Sequence, residues 1–179
     1  MKNKKDIVKK AKNIKLLACD VDGILTHGEM IVLNNGEEIK IWNVKDGTGY
    51  NQLSKISPKI KTAWITGRQS SQVEKHAKNM SIDYLIQNCI NKMVALEKIL
   101  KESGLKVSET AYIGDDIIDI SVLKAARLSV CPMNACEDVK KYVDYVSILN
   151  GGEGIVREVI ELIMKAKGEW KKSLDRYTC

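Results

Sequence analysis

The stretch KLLACDVDG, residues 15–23, decides the architecture of this chain. Its first seven residues form a continuous rather than alternating apolar run, the pattern of a parallel strand covered on both faces. Two aspartates, Asp20 and Asp22, close the run, and Gly23 permits a turn directly behind them.

Beyond it, short apolar runs alternate with segments of helical period. Residues 30–33 and 38–42 flank Asn34-Asn35-Gly36-Glu37, a strong hairpin signal. The pattern then predicts helix 47–56, strand 62–65, helix 70–79, strand 84–86 and helix 92–103 ending at Gly104. Strand 111–113, helix 117–125, strand 128–131, helix 136–141, strand 145–146 and helix 154–167 complete the series. This alternation predicts an α/β fold, a doubly wound and mostly parallel sheet with a β-hairpin after the first strand. No repeat, Pro-rich linker or low-complexity tract divides the 179 residues, so one domain is expected, with a basic arm at 1–13 and a tail at 168–179.

Composition narrows the function classes. The net charge of +6 resides in residues 1–15, which hold seven lysines and one aspartate, leaving 22 basic and 22 acidic residues elsewhere. A neutral body with a solvated basic arm predicts no nucleic-acid partner. No apolar run reaches membrane-spanning length and no signal-peptide core follows the start, so no membrane partner and a cytoplasmic location are expected. Cys19, Cys89, Cys131, Cys136 and Cys179 form no CxxC pair, and His27 and His76 lie far from any of them, which argues against zinc.

In a doubly wound sheet, ligands bind beyond the carboxyl ends of the strands. Four sets of polar residues fall there. Asp20 and Asp22, two apart, suit a nucleophile beside a metal with a general acid two residues on, although two acids capping a turn would look the same. Thr66-Gly67-Arg68 offers a hydroxyl, an amide and a guanidinium for a phosphate, although Thr66 alone reads as an N-cap. Lys92 opens a helix, where a cation opposes the macrodipole unless an anion lies near. Asp115, Asp116 and Asp119, three acids within five residues, require a cation or a helix N-terminus. Together they supply a nucleophile, a hard-cation site suited to Mg2+ and neutralisation for a transferring phosphoryl group.

The order DxDG, TGR, Lys, GDDxxD resembles the haloacid dehalogenase superfamily over residues 16–167. The segments NNGEEIKIWNVKDGTGY and GGEGIVREV are further similar to its octulosonate phosphatase family. The resemblance implies a cap-less, magnesium-dependent phosphatase that acts on a phosphorylated 2-keto-3-deoxy sugar acid, octulosonate 8-phosphate first and nonulosonate 9-phosphate as the alternative. It implies Asp20 as nucleophile, Asp22 as general acid/base, and Thr66 and Lys92 on the phosphoryl oxygens. Asp20, the Asp22 carbonyl and Asp115 would hold the metal, with Asp116 and Asp119 in support. Gly67, Arg68, Asp46 and Gly47 become substrate-site candidates, and a homotetramer is implied. His27 departs from the family pattern, which has aspartate there. A phosphoaccepting receiver domain is the rival class; the DxD spacing and the hairpin disagree with it.

Overall fold

The computed structural model describes residues 3–178; Met1 and Lys2 of the expected arm, and Cys179, lie outside them. The central sheet uses β1 (Leu16–Cys19), β4 (Lys61–Ile65), β5 (Tyr84–Ile86), β6 (Thr110–Ile113), β7 (Leu128–Cys131) and β8 (Tyr145–Val146). Their order is β5-β4-β1-β6-β7-β8, and every pairing is parallel. The chain winds from β1 through β4 to β5, then returns to the far side of β1 for β6, β7 and β8. That reversal opens a crevice at the carboxyl ends of β1 and β6. Leu16, Leu17, Ala18 and Cys19 are fully buried, as are Ala111, Tyr112 and Ile113, so the two central strands read as unbroken apolar runs.

Helices cover both faces. One core gathers Leu17, Cys19, Trp64, Val130 and the apolar side of α7 (Ile155–Ala166) with Tyr50 and Leu53 of α2 (Val44–Ile56). The other gathers Ala18, Ala63, Ile65 and Tyr112 with α4 (Lys92–Ser103) and α5 (Ile120–Ala125). α3 (Ser71–Asn79) and the short α6 (Glu137–Lys140) complete the layers.

Three segments differ from the sequence reading. The expected arm contains α1 (Lys4–Ala11), capped by the Asn3 side chain and docked through Ile7 and Ala11. Two apolar positions four residues apart suffice to seat one helix face, while its lysines stay in water. α2 begins at Val44 rather than 47, because the Asn43 side chain accepts from the Lys45 amide. The tail forms α8 (Trp170–Asp175), with Trp170 beneath the Arg157 guanidinium at 4.9 Å.

Between β1 and α2 the described chain forms only a hairpin, β2 (Ile31–Val32) and β3 (Glu38–Ile39), paired Ile31↔Ile39 and Val32↔Glu38. Ile31, Val32, Ile39 and Ile41 are exposed on it. Its exit is anchored by Trp42, stacked on His76 at 4.3 Å, with His76 in turn 5.6 Å from Trp64. No helix among the described residues is long and apolar enough to cross a membrane.

Candidate active site

Asp20 follows β1, Thr66 follows β4, and Asp115 and Asp116 follow β6, so three neighbouring parallel strands deliver their next residues to one edge. With Asp22, Gly67, Arg68, His27 and Asn134 they line an open cleft of about 320 Å³. A larger groove, about 580 Å³, runs between α1 and α7. Its acids are each already engaged, Glu158 by Tyr145 and Ser147, Asp144 by Lys10, and Glu161 by Arg157 and Lys165, so the smaller cleft is the chemical one.

Beneath the cleft lies a buried charge cluster. Lys92 Nζ is 2.7 Å from Asp20 Oδ2 and 2.8 Å from Asp119 Oδ1. Asp20 Oδ1 accepts from its neighbour's amide, Val21 N, at 2.7 Å. Asp119 is also bonded by the Tyr112 hydroxyl at 2.6 Å and by the amides of Asp115 and Asp116 at 3.3 Å. Lys92 sits in the first turn of α4, whose N-cap is Asn91; the two carboxylates offset the macrodipole penalty that the sequence exposed.

One ammonium does not balance three acids. Carboxylate oxygens of Asp20, Asp115 and Asp119 lie within 4.8 Å of one another. Burial, then the charges of Asp20 and Asp119, push the Asp115 carboxyl up to about 7. Burial also raises Asp20 to about 6, with Asp119 adding to it and Lys92 opposing. Buried Asp115 Oδ1 has no hydrogen-bond partner among the described residues. An orphaned anionic oxygen among mutually repelling carboxylates is the donor set of a hard divalent cation, so these residues fit magnesium.

The loops around this cluster approach closely. Gly23 has φ +87°, and a β-carbon there would lie 2.1 Å from Asp115 Oδ2. A β-carbon on Gly151 would lie 1.7 Å from the Gly23 carbonyl oxygen, while the Gly151 amide donates to Asn134 Oδ1 at 2.9 Å. Gly151→Ala is therefore expected to displace the Asp22–Gly23 turn, lowering stability by about 1–3 kcal/mol. Denaturant unfolding beside a turnover assay checks this, and an unshifted midpoint refutes the contact.

The expected residues separate cleanly. Asp20, Asp22, Thr66, Gly67, Arg68, Asp115 and Asp116 line the cleft, with Lys92 and Asp119 directly below. Thr66 is buried, and its Oγ1 accepts from the Arg68 amide at 3.2 Å. Asp116 caps the short 3-10 helix Ile117–Asp119 through the Ile117 amide. Asp46 and Gly47, expected as substrate-site candidates, lie outside this set. The buried Asp46 carboxylate accepts from Arg157 N at 2.7 Å in the first turn of α7, and a β-carbon on Gly47 would meet Met80; neither lines the cleft. Asn134 was not anticipated, although it follows β7 as the other site residues follow their strands. Lys40 was not anticipated either: it reaches from β3's end to the Asp22 carboxylate.

The haloacid dehalogenase-like hydrolase family model matches residues 51–159. The chain is 39% identical over 164 residues to 3-deoxy-D-manno-octulosonate 8-phosphate phosphatase KdsC of Escherichia coli (strain K12), covering 92% of this chain and 86% of that one. It superposes at a TM-score of 0.95, with 39% identity, on 3-deoxy-D-manno-octulosonate 8-phosphate phosphatase from Moraxella catarrhalis in complex with magnesium ion, phosphate ion and KDO molecule. That match covers 98% of this chain and 100% of the other. The Yersinia pestis phosphatase of the same name matches at 38% identity and a TM-score of 0.89, over 93% and 89% of the two chains.

Proposed function

The chain belongs to the haloacid dehalogenase-like hydrolases, and from that membership we propose that it is a magnesium-dependent phosphatase of 3-deoxy-D-manno-octulosonate 8-phosphate. One observation carries the reading: Asp20, Asp22, Thr66 and Asp115 line a single cleft, with Lys92 clamped beneath Asp20. Likeness to relatives named for this substrate, one holding magnesium, phosphate and KDO, supports the substrate and the metal.

In the proposed mechanism Asp20 attacks phosphorus, and the bond to the sugar oxygen breaks as Asp22 delivers a proton to that oxygen. Asp22 then takes a proton from water as the water oxygen bonds phosphorus and the Asp20–phosphorus bond breaks. Splitting the reaction this way replaces one slow displacement by two positioned ones. Lys92 spends two donors on Asp20 and Asp119, leaving a third for a phosphoryl oxygen, and Thr66 Oγ1 offers another. Magnesium, held by Asp20, the Asp22 carbonyl and Asp115, would neutralise the phosphoryl charge. Asp116 and Asp119 would steady the Asp115 loop, and Arg68 would read an anionic group at the rim.

The hairpin exposes apolar Ile31, Val32, Ile39 and Ile41 beside unpaired strand edges, which supports association with further copies of the chain as a homotetramer. We place the enzyme in the cytoplasm, where free thiols such as buried Cys19 and Cys131 persist.

Initial rates on octulosonate 8-phosphate, a nonulosonate 9-phosphate and hexose phosphates test the substrate. The octulosonate should lead in kcat/KM, and a preference for another sugar overturns the assignment. Asp115→Ala is expected to raise the magnesium concentration for half-maximal rate by at least about tenfold. An unchanged titration removes Asp115 from the metal site.

A further inference from the structure

Resting on the phosphatase reading above, we propose that Lys40 is a positioning residue that holds the Asp22 carboxylate in its working orientation, which makes the hairpin part of the reaction machinery. Strand alternation turns Ile39 and Ile41 outward, at 43% and 60% exposure, and turns Glu38 and Lys40 inward. The Lys40 side chain is 7% exposed on an otherwise wet hairpin, and its ammonium meets Asp22 Oδ1. Among the described residues this is the hydrogen-bond partner of the Asp22 carboxylate.

Lys40 is itself held in place. Glu38 Oε2 lies 4.0 Å from its ammonium and has no hydrogen-bond partner among the described residues, while the other Glu38 oxygen is bonded by the Arg68 guanidinium. Four charges of alternating sign, Asp22, Lys40, Glu38 and Arg68, therefore run from the cleft to its rim across two separate loops. The Trp42–His76 stack fixes the hairpin two residues beyond Lys40, so the ammonium is presented from an anchored strand.

Asp22 must act twice, giving a proton to the leaving sugar and taking one from water. A freely rotating carboxylate does both poorly, because proton transfer demands hydrogen-bond reach of the reacting oxygen. p-Nitrophenolate departs readily without a proton, so with that leaving group only the second step depends on Asp22.

The test compares full-length wild type, Lys40→Met, Lys40→Arg and Glu38→Gln with saturating magnesium, on octulosonate 8-phosphate and p-nitrophenyl phosphate. Light scattering on each variant checks that assembly is retained. Lys40→Met should lower kcat on the sugar phosphate by at least about tenfold with KM within about threefold. On the aryl ester it should release a burst of p-nitrophenol stoichiometric with enzyme, followed by slow turnover. Lys40→Arg should recover most of the loss, and Glu38→Gln should fall between the two.

An unchanged kcat in Lys40→Met overturns the proposal. So does a raised KM at constant kcat, which makes Lys40 a substrate contact, and so does equal damage in the Met and Arg variants, which makes it structural. If wild type itself shows no magnesium-dependent turnover of either ester, the phosphatase reading falls first; an active wild type with an equally active Lys40→Met removes only the present inference.

Discussion

Asp20→Asn is expected to lower turnover by at least about 10³-fold while leaving the fold intact. Asp20 is 5% exposed and its two carboxylate oxygens are already assigned, one to Val21 N and one to Lys92. An amide preserves the shape and one acceptor, so packing survives. It cannot form the acyl phosphate. Removing one charge also relieves the repulsion among Asp20, Asp115 and Asp119 that burial sharpens, so thermal stability should hold or rise. Steady-state rates beside a circular-dichroism melt check both halves. Turnover within about tenfold of wild type would place the nucleophile elsewhere.

Lys92→Met should abolish activity and weaken the fold together. Lys92 is 2% exposed and its ammonium bonds two buried carboxylates. Its removal leaves both uncompensated, a loss of about 3–5 kcal/mol, or on the order of 10 °C in Tm for a chain of this size. The carboxylates of Asp20 and Asp119 outweigh burial and keep the lysine charged, its pKa raised. Adding Asp119→Asn to Lys92→Met should restore part of the stability and none of the rate, the signature of coupled charges in a double-mutant cycle. Additive losses of stability would refute the buried triad.

Residues that announce themselves by type at a strand end were legible in the sequence. Asp20, Thr66 and Asp115 each follow an apolar run, and the parallel order of β4, β1 and β6 places them side by side. The hairpin was legible through Asn35-Gly36, the glycine holding φ +84°. What escaped depended on partners distant in sequence. Lys40 looks like any strand lysine until the hairpin folds over Asp22. Asp46 looked like a substrate ligand because it opens a helix near the site; only the arrival of α7, more than a hundred residues later, shows that its carboxylate clamps Arg157 N. α1 was missed because Ile7 and Ala11 are too sparse a stripe to stand out among six lysines in residues 1–13.

The parallel order of the three central strands has a consequence for how the molecule matures. Positions 20, 66 and 115 are remote along the chain, and no hairpin or single helical crossover contains them all. Their meeting requires β4 and β6 to have zipped against opposite sides of β1, the kind of distant closure that is slow in folding. A truncated or half-folded chain therefore holds the ingredients of hydrolysis without the reaction, and catalytic competence is among the last properties the polypeptide acquires.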